Sequence, residues 1–197
     1  MLTANSQTYQ YTNYDTDEYH QELPVEDVRT LVTRNLENIL NKYSWWRSPK
    51  LHFNKRSCAV SHCGNLCHAS YCPADEIISI PSPDVRTYYQ FGDAALAFVI
   101  CHELAHHLQR INGSRPSETE ADCIGGALMG ALVRDGNVGI NNKDLEEMAQ
   151  LTWSIGSYCG GKSHGTPTER TSAMKNGFAI GSKYSFDVSF NQCVKAY

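Results

Sequence analysis

The chain has 197 residues, with 17 Lys and Arg against 21 Asp and Glu and a formal net charge of −4 at pH 7. That length suits one domain with a real core, and 41% hydrophobic with 19% charged residues excludes a disordered or coiled-coil chain. A pI near 6.0 with no Lys/Arg cluster excludes nucleic acid as the main partner, and no apolar run reaches the ~18–20 residues of a transmembrane segment.

In chain order, residues 1–22 carry Tyr9, Tyr11, Tyr14 and Tyr19 in a polar, aperiodic stretch. They are expected to form a mobile tail, with residues 23–197 as a single domain. Val25, Val28, Leu31, Val32, Leu36, Ile39 and Leu40 predict a helix opened by Pro24 and ending near Tyr43. Trp45, Trp46 and Trp153 are expected in the core. Asp75 to Ile80 is short and β-branched and is followed by Pro81 and Pro83, which predicts an edge strand.

Asp93 reads as the N-cap of a helix from Ala94 to about Arg110, stopped by Asn112-Gly113. Ser117 and Glu120 form a capping box for a helix to about Arg134, and Asn142 begins another. Thr166 and Glu169 form a second box, with Pro167 at the first helical position, for a helix to about Ala179. The weak alternation of Ser182 to Tyr197 predicts a strand.

Eight cysteines, four of them at Cys58, Cys63, Cys67 and Cys72, point to disulfides and an exported protein. The rival is a structural zinc knot, whose usual paired spacing the cluster fits poorly. The expected bridges are Cys63–Cys72, Cys58–Cys67 and Cys159–Cys193, with Cys101 and Cys123 either joined or buried as apolar fillers. Met1 to Leu23 has no apolar signal segment, so export implies that a signal was removed from this chain.

His102-Glu103-Leu104-Ala105-His106 is an H-E-x-x-H motif within a predicted helix. Spacing of four residues puts both imidazoles on one face, one turn apart, where they can share a tetrahedral Zn²⁺. Glu103 is offset by one residue, so it can reach an attacking water as general base without being a ligand. With 8 His and 11 Glu, chance yields the motif roughly 0.02 times per chain. Glu118 and Asp122 share a face of the next helix. One can complete the ligand set while the other holds a ligand imidazole by its second nitrogen. Glu120 is expected to point away, used by its capping box.

Together H-E-L-A-H-H-L-Q, E-T-E-A-D-C, H-G-T-P-T-E-R and S-Y-C-P-A-D-E-I-I-S-I resemble the bacterial neutral zinc metallopeptidases over about residues 63–180. The resemblance implies an α+β, mostly helical gluzincin-like zincin domain with a small sheet whose edge strand lies beside the active-site helix. It implies His102, His106 and Glu118 as zinc ligands, Asp122 behind them, and Glu76 to Ile80 as the strand that takes an extended peptide. Ala105 and Cys101 stand where the family commonly has Gly and Ala.

His107 lies about 100° around the helix from His106 and is expected to pack rather than ligate. His164 either stabilises the oxyanion or orders its loop, and Arg170 is expected to be a structural salt-bridge partner. His20, His52, His62 and His68 have no metal-like spacing. The reading is thus a secreted or periplasmic zinc-dependent endopeptidase acting on protein or peptide substrates. The alternatives are a non-catalytic zinc-stabilised binding protein and a metal-dependent amidase acting on cell-wall peptides.

Overall fold

Apolar residues at helical spacing build α1 (Val25–Leu40), whose Val28, Val32, Leu36, Ile39 and Leu40 are buried. Pro24 caps it rather than opening it, and the helix stops short of Tyr43. The computed structural model describes residues 22–53, 69–158 and 164–197. Of the expected tail at 1–22 only Glu22 is described, and it is held by the Asp93 amide and Lys143. Residues 1–21, His62, His68 and the pairings of Cys58, Cys63, Cys67 and Cys159 lie outside the described residues.

Three short strands, β1 (Lys50–Phe53), β2 (Ser70–Cys72) and β3 (Ile77–Ile80), form a mixed sheet in the order β1-β3-β2. β3 runs parallel to β1 and antiparallel to β2. The strand expected at an edge is therefore central. Pro81 and Pro83 follow β3 without occupying it, so no ladder donor is lost. Instead Pro83 sits in the first turn of a helix not foreseen from the sequence, α2 (Ser82–Tyr89), where its missing N–H costs nothing. Asp75 and Glu76 belong to the β2–β3 turn, with Glu76 at φ 52°.

Gly92, not Asp93, is the N-cap of α3 (Asp93–Asn112), and Gly113 at φ 75° closes it in the left-handed conformation. The Asp93 carboxylate accepts instead from the Leu23 backbone N–H at 2.7 Å, joining α3 to the start of α1. Ser117 caps α4 (Glu118–Arg134) by accepting from the Glu120 N–H. The Glu120 side chain is buried, away from the His102, His106 and Glu118 group. Asn141 accepts from the amides of Lys143 and Asp144 at the start of α5 (Asn142–Tyr158). The reciprocal Thr166–Glu169 box forms as expected on α6 (Pro167–Gly181).

The C-terminal segment is a helix, α7 (Phe186–Ala196), not a strand. Phe186, Ser189, Phe190 and Cys193 recur at helical spacing and are all buried, which outweighs the weak alternation. A Cys123–Cys193 disulfide staples α7 to α4, in place of the expected Cys159–Cys193 bridge. Cys101 is a buried thiol, and Cys72 is disulfide-bonded. Trp46 packs against the core, whereas Trp45 and Trp153 are 38% and 53% exposed, Trp45 lying at the surface against the core residue Phe190.

α4 is buried along nearly its whole length, with α3 on one side and α6 on the other. The α4–α6 crossing is close because glycines face backbone. A Cβ on Gly177 would overlap the Cys123 carbonyl, and one on Gly126 the Met174 carbonyl. This approach carries Arg170, at the start of α6, against the first turn of α4. The architecture is α+β and mostly helical, and no described helix is long and apolar enough to cross a membrane.

Candidate metal centre

Helix geometry brings His102 and His106 side by side on α3, with their Nε2 atoms 3.2 Å apart. From α4, Glu118 reaches both, with Oε2 3.2 Å from His102 Nε2 and Oε1 3.6 Å from His106 Nε2. One ligand atom from each of the three residues lies within 4.8 Å of the others. The antiparallel meeting of α3 and α4 across the loop 113–117 creates this convergence, as the spacing of the motifs implied.

The outer partners of the imidazoles decide what the inner atoms offer. Asp122 Oδ1 lies 2.9 Å from His102 Nδ1, and an ionised carboxylate only accepts, so the proton belongs on Nδ1. His106 Nδ1 lies 2.9 Å from Gln109 Oε1. The Gln109 amide is itself oriented, because its Nε2 donates to the Ser117 carbonyl at 2.8 Å. In the neutral rings both inner Nε2 atoms therefore present lone pairs to each other and to Glu118. Two His nitrogens with one carboxylate oxygen form a donor set that could hold a metal ion such as Zn²⁺.

Electrostatics agree. Burial disfavours a charged His102, yet Asp122 and Glu118 outweigh it and raise its pKa to about 10, so at neutral pH its Nε2 holds a proton that a bound cation would displace. Burial would likewise raise Glu118, but His102 and His106 hold its carboxyl far below the usual range. The pocket thus favours positive charge beyond what Arg170 supplies. Arg170 is 2% exposed, donates to Asp122 through Nε at 2.7 Å and Nη2 at 3.0 Å, and lies 3.2 Å from Glu118 Oε2. It is the structural partner expected, locking Glu118 and Asp122 of α4.

Glu103 is 6% exposed and borders the same cavity of about 690 Å³ as His102, His106 and Glu118. Burial holds its pKa above the ordinary carboxyl value, a rise that the two imidazoles and Arg170 oppose without cancelling. His164 stands on the cavity wall, its Nδ1 3.8 Å from Glu118 Oε1. His107 is fully buried and points away from the centre, hydrogen-bonded to the Tyr71 hydroxyl at 2.8 Å and the Arg47 carbonyl at 2.7 Å. Burial lowers its pKa, in keeping with a packing role.

Gln109 is the residue that sequence reasoning left without a role. Its position three residues after His106, on the same face, was the available signal. A second acidic group, Glu22, Asp93 and Glu147, lies at the other end of α3. There Glu22 and Glu147 accept from the Asp93 and Ala94 amides, and Lys143 pairs with both carboxylates. These contacts make it a capping network for the helix start.

Among curated proteins, the chain is 28% identical over 149 residues to the uncharacterized protein YpfJ of Escherichia coli K12. The alignment covers 56% of this chain and 50% of that protein, and YpfJ of Escherichia coli O6:H1 matches equally. The chain spans about half the length of these relatives. No protein-family model and no solved structure matches it.

Proposed function

We propose that this chain is a zinc-dependent endopeptidase of the kind its motifs resemble, the bacterial neutral zinc metallopeptidases. The observation that carries the reading is the convergence of the His102 and His106 Nε2 lone pairs with Glu118, beside a buried Glu103 that none of these ligands needs. A structural zinc site has no use for such a carboxylate at its mouth.

His102, His106 and Glu118 would hold Zn²⁺, which supplies Lewis acidity that lowers the pKa of water to about 7. Asp122 and Gln109 keep the imidazole protons on the outer nitrogens, so both inner nitrogens stay available. Glu103 accepts the proton of the attacking water and returns it to the leaving amine. His164, on the cavity wall beside Glu118, is the side chain assigned to donate to the carbonyl oxygen as charge develops on it.

A peptide is favoured over other amides because a sheet edge borders the cavity. Among the described residues that edge is β2, with Ser70 and Tyr71 on the wall, and not Glu76 to Ile80, whose β3 is paired on both sides. The Cys123–Cys193 bridge supports an extracytoplasmic location, secreted or periplasmic.

The test is metal analysis of the purified chain, then cleavage of a fluorogenic peptide library with and without chelator. One zinc per chain, with cleavage abolished by chelation and restored by Zn²⁺, is the expected result. Cleavage that survives metal removal, or a zinc-loaded chain that cuts no peptide, would overturn the reading.

A further inference from the structure

His107 is the one histidine of the α3 cluster that the proposed chemistry does not use, yet it is fully buried and doubly hydrogen-bonded. Its two partners lie on different parts of the sheet layer: Tyr71 on β2 and Arg47 just ahead of β1. The Arg47 carbonyl can only accept, so Nε2 carries the proton, and in the neutral ring Nδ1 accepts from the Tyr71 hydroxyl. Trp46 and Tyr71 both meet the imidazole edge-on, at ring-centre distances of 5.7 and 5.2 Å. The ring is thus held by three residues from the sheet side, Trp46, Arg47 and Tyr71.

We infer that His107 is a positioning residue: it pins edge strand β2 to the helix that carries His102 and His106, and so sets where an extended substrate lies relative to the metal centre. The inference rests on the peptidase reading. His106 and His107 are adjacent in sequence and about 100° apart around α3, so one turn of helix faces the metal with one residue and grips the strand with the next. The Tyr71 phenol proton is committed to His107, which leaves that phenol no donor for a reacting carbonyl. A short substrate that touches only the residues flanking the scissile bond makes no use of β2, whereas a long peptide pairs along it.

The test compares wild type with His107→Phe, which keeps the ring and removes both hydrogen bonds, and with Tyr71→Phe, which removes only the bond to β2. A decapeptide and a dipeptide amide serve as substrates, and hydrogen exchange of residues 69–72 is followed alongside. Both variants are expected to keep one zinc per chain and the wild-type kcat within about twofold. KM for the decapeptide should rise about tenfold in His107→Phe and less in Tyr71→Phe, with the dipeptide amide unaffected, and residues 69–72 should exchange faster. Wild-type KM in both variants, a loss confined to kcat, or unchanged exchange at 69–72 would overturn the positioning role. If His107→Phe does not fold, Tyr71→Phe decides by the same criteria. A zinc-loaded wild type that cuts neither substrate overturns the peptidase reading, and with it the substrate part of the inference; the exchange data then judge the strand anchoring alone.

Discussion

Gln109 Oε1 stands 2.9 Å from His106 Nδ1, and the same amide donates to the Ser117 carbonyl that precedes α4. One side chain therefore both fixes the tautomer of an inferred ligand and ties the end of α3 to the start of the helix that brings Glu118. Gln109→Ala is expected to weaken zinc binding ~10–100-fold, the range typical of partners that orient a ligand imidazole. Titration with a competing chromophoric chelator measures this, and an affinity equal to wild type would remove Gln109 from the site.

Glu103→Gln should keep the fold and one zinc per chain while losing at least ~10²–10⁴-fold in activity, the contribution of a general base. Metal content and peptide cleavage are measured on the same preparation. Loss of the metal would make Glu103 a ligand and refute the assignment of roles.

Glu118→Ala should abolish tight zinc binding, because the remaining donors are the two imidazoles. Glu120→Ala should leave zinc affinity within about twofold. Its helix cap is a backbone amide donating to Ser117, which survives truncation of the side chain. The stability cost at Glu120, whose side chain is buried, is expected to be ~0.5–3 kcal/mol, the ordinary range for one substitution. Equal effects of the two on metal binding would show that the third ligand is misassigned.

Non-reducing peptide mapping should recover Cys123 joined to Cys193, and Cys101 should resist alkylation until the chain is unfolded. Burial pushes the Cys101 thiol pKa up, which keeps the reactive thiolate scarce. Replacing Cys193 by Ala should cost ~2–5 kcal/mol, the usual loss of a native bridge. A map with Cys193 bound to Cys159 would contradict the α4–α7 staple.

Glu147 titrates well above an ordinary carboxyl, at about 8, because burial and the neighbouring Glu22, Asp144 and Asp93 disfavour its charge more than Lys143 favours it. The folded state then holds this proton more tightly than the unfolded state. Its contribution to stability is fully present below the unfolded value of 4.5 and is lost as pH rises to about 8. Thermal melts of wild type should therefore fall over that window, and Glu147→Gln should flatten the decline. A variant that follows the wild-type pH curve would refute the shift.

The helical frame and the shared faces of His102–His106 and Glu118–Asp122 were legible in the chain's local patterns. Period-3.6 apolar runs and cap residues are local signals, so α1, α3, α4, α5 and α6 were legible to within a few residues. The spacings His102–His106 and Glu118–Asp122 carry their own geometry, because a helix repeats every 3.6 residues. Tertiary structure decided the rest. Strand order depends on which segments pair, and Ile77–Ile80 cannot reveal from its own residues that Lys50–Phe53 and Ser70–Cys72 lie on either side. Phe186–Ala196 became a helix because Phe186, Phe190 and Cys193 pack inward together, against the weak local alternation. Cys123 found Cys193 only because α4 and α7 meet in space across 70 residues of chain. Gln109 and His107 took their roles from partners on other elements, Ser117, Tyr71 and Arg47. Hydrogen bonds between elements have no period in the sequence. They appear only when packing brings a donor within about 3 Å of its acceptor.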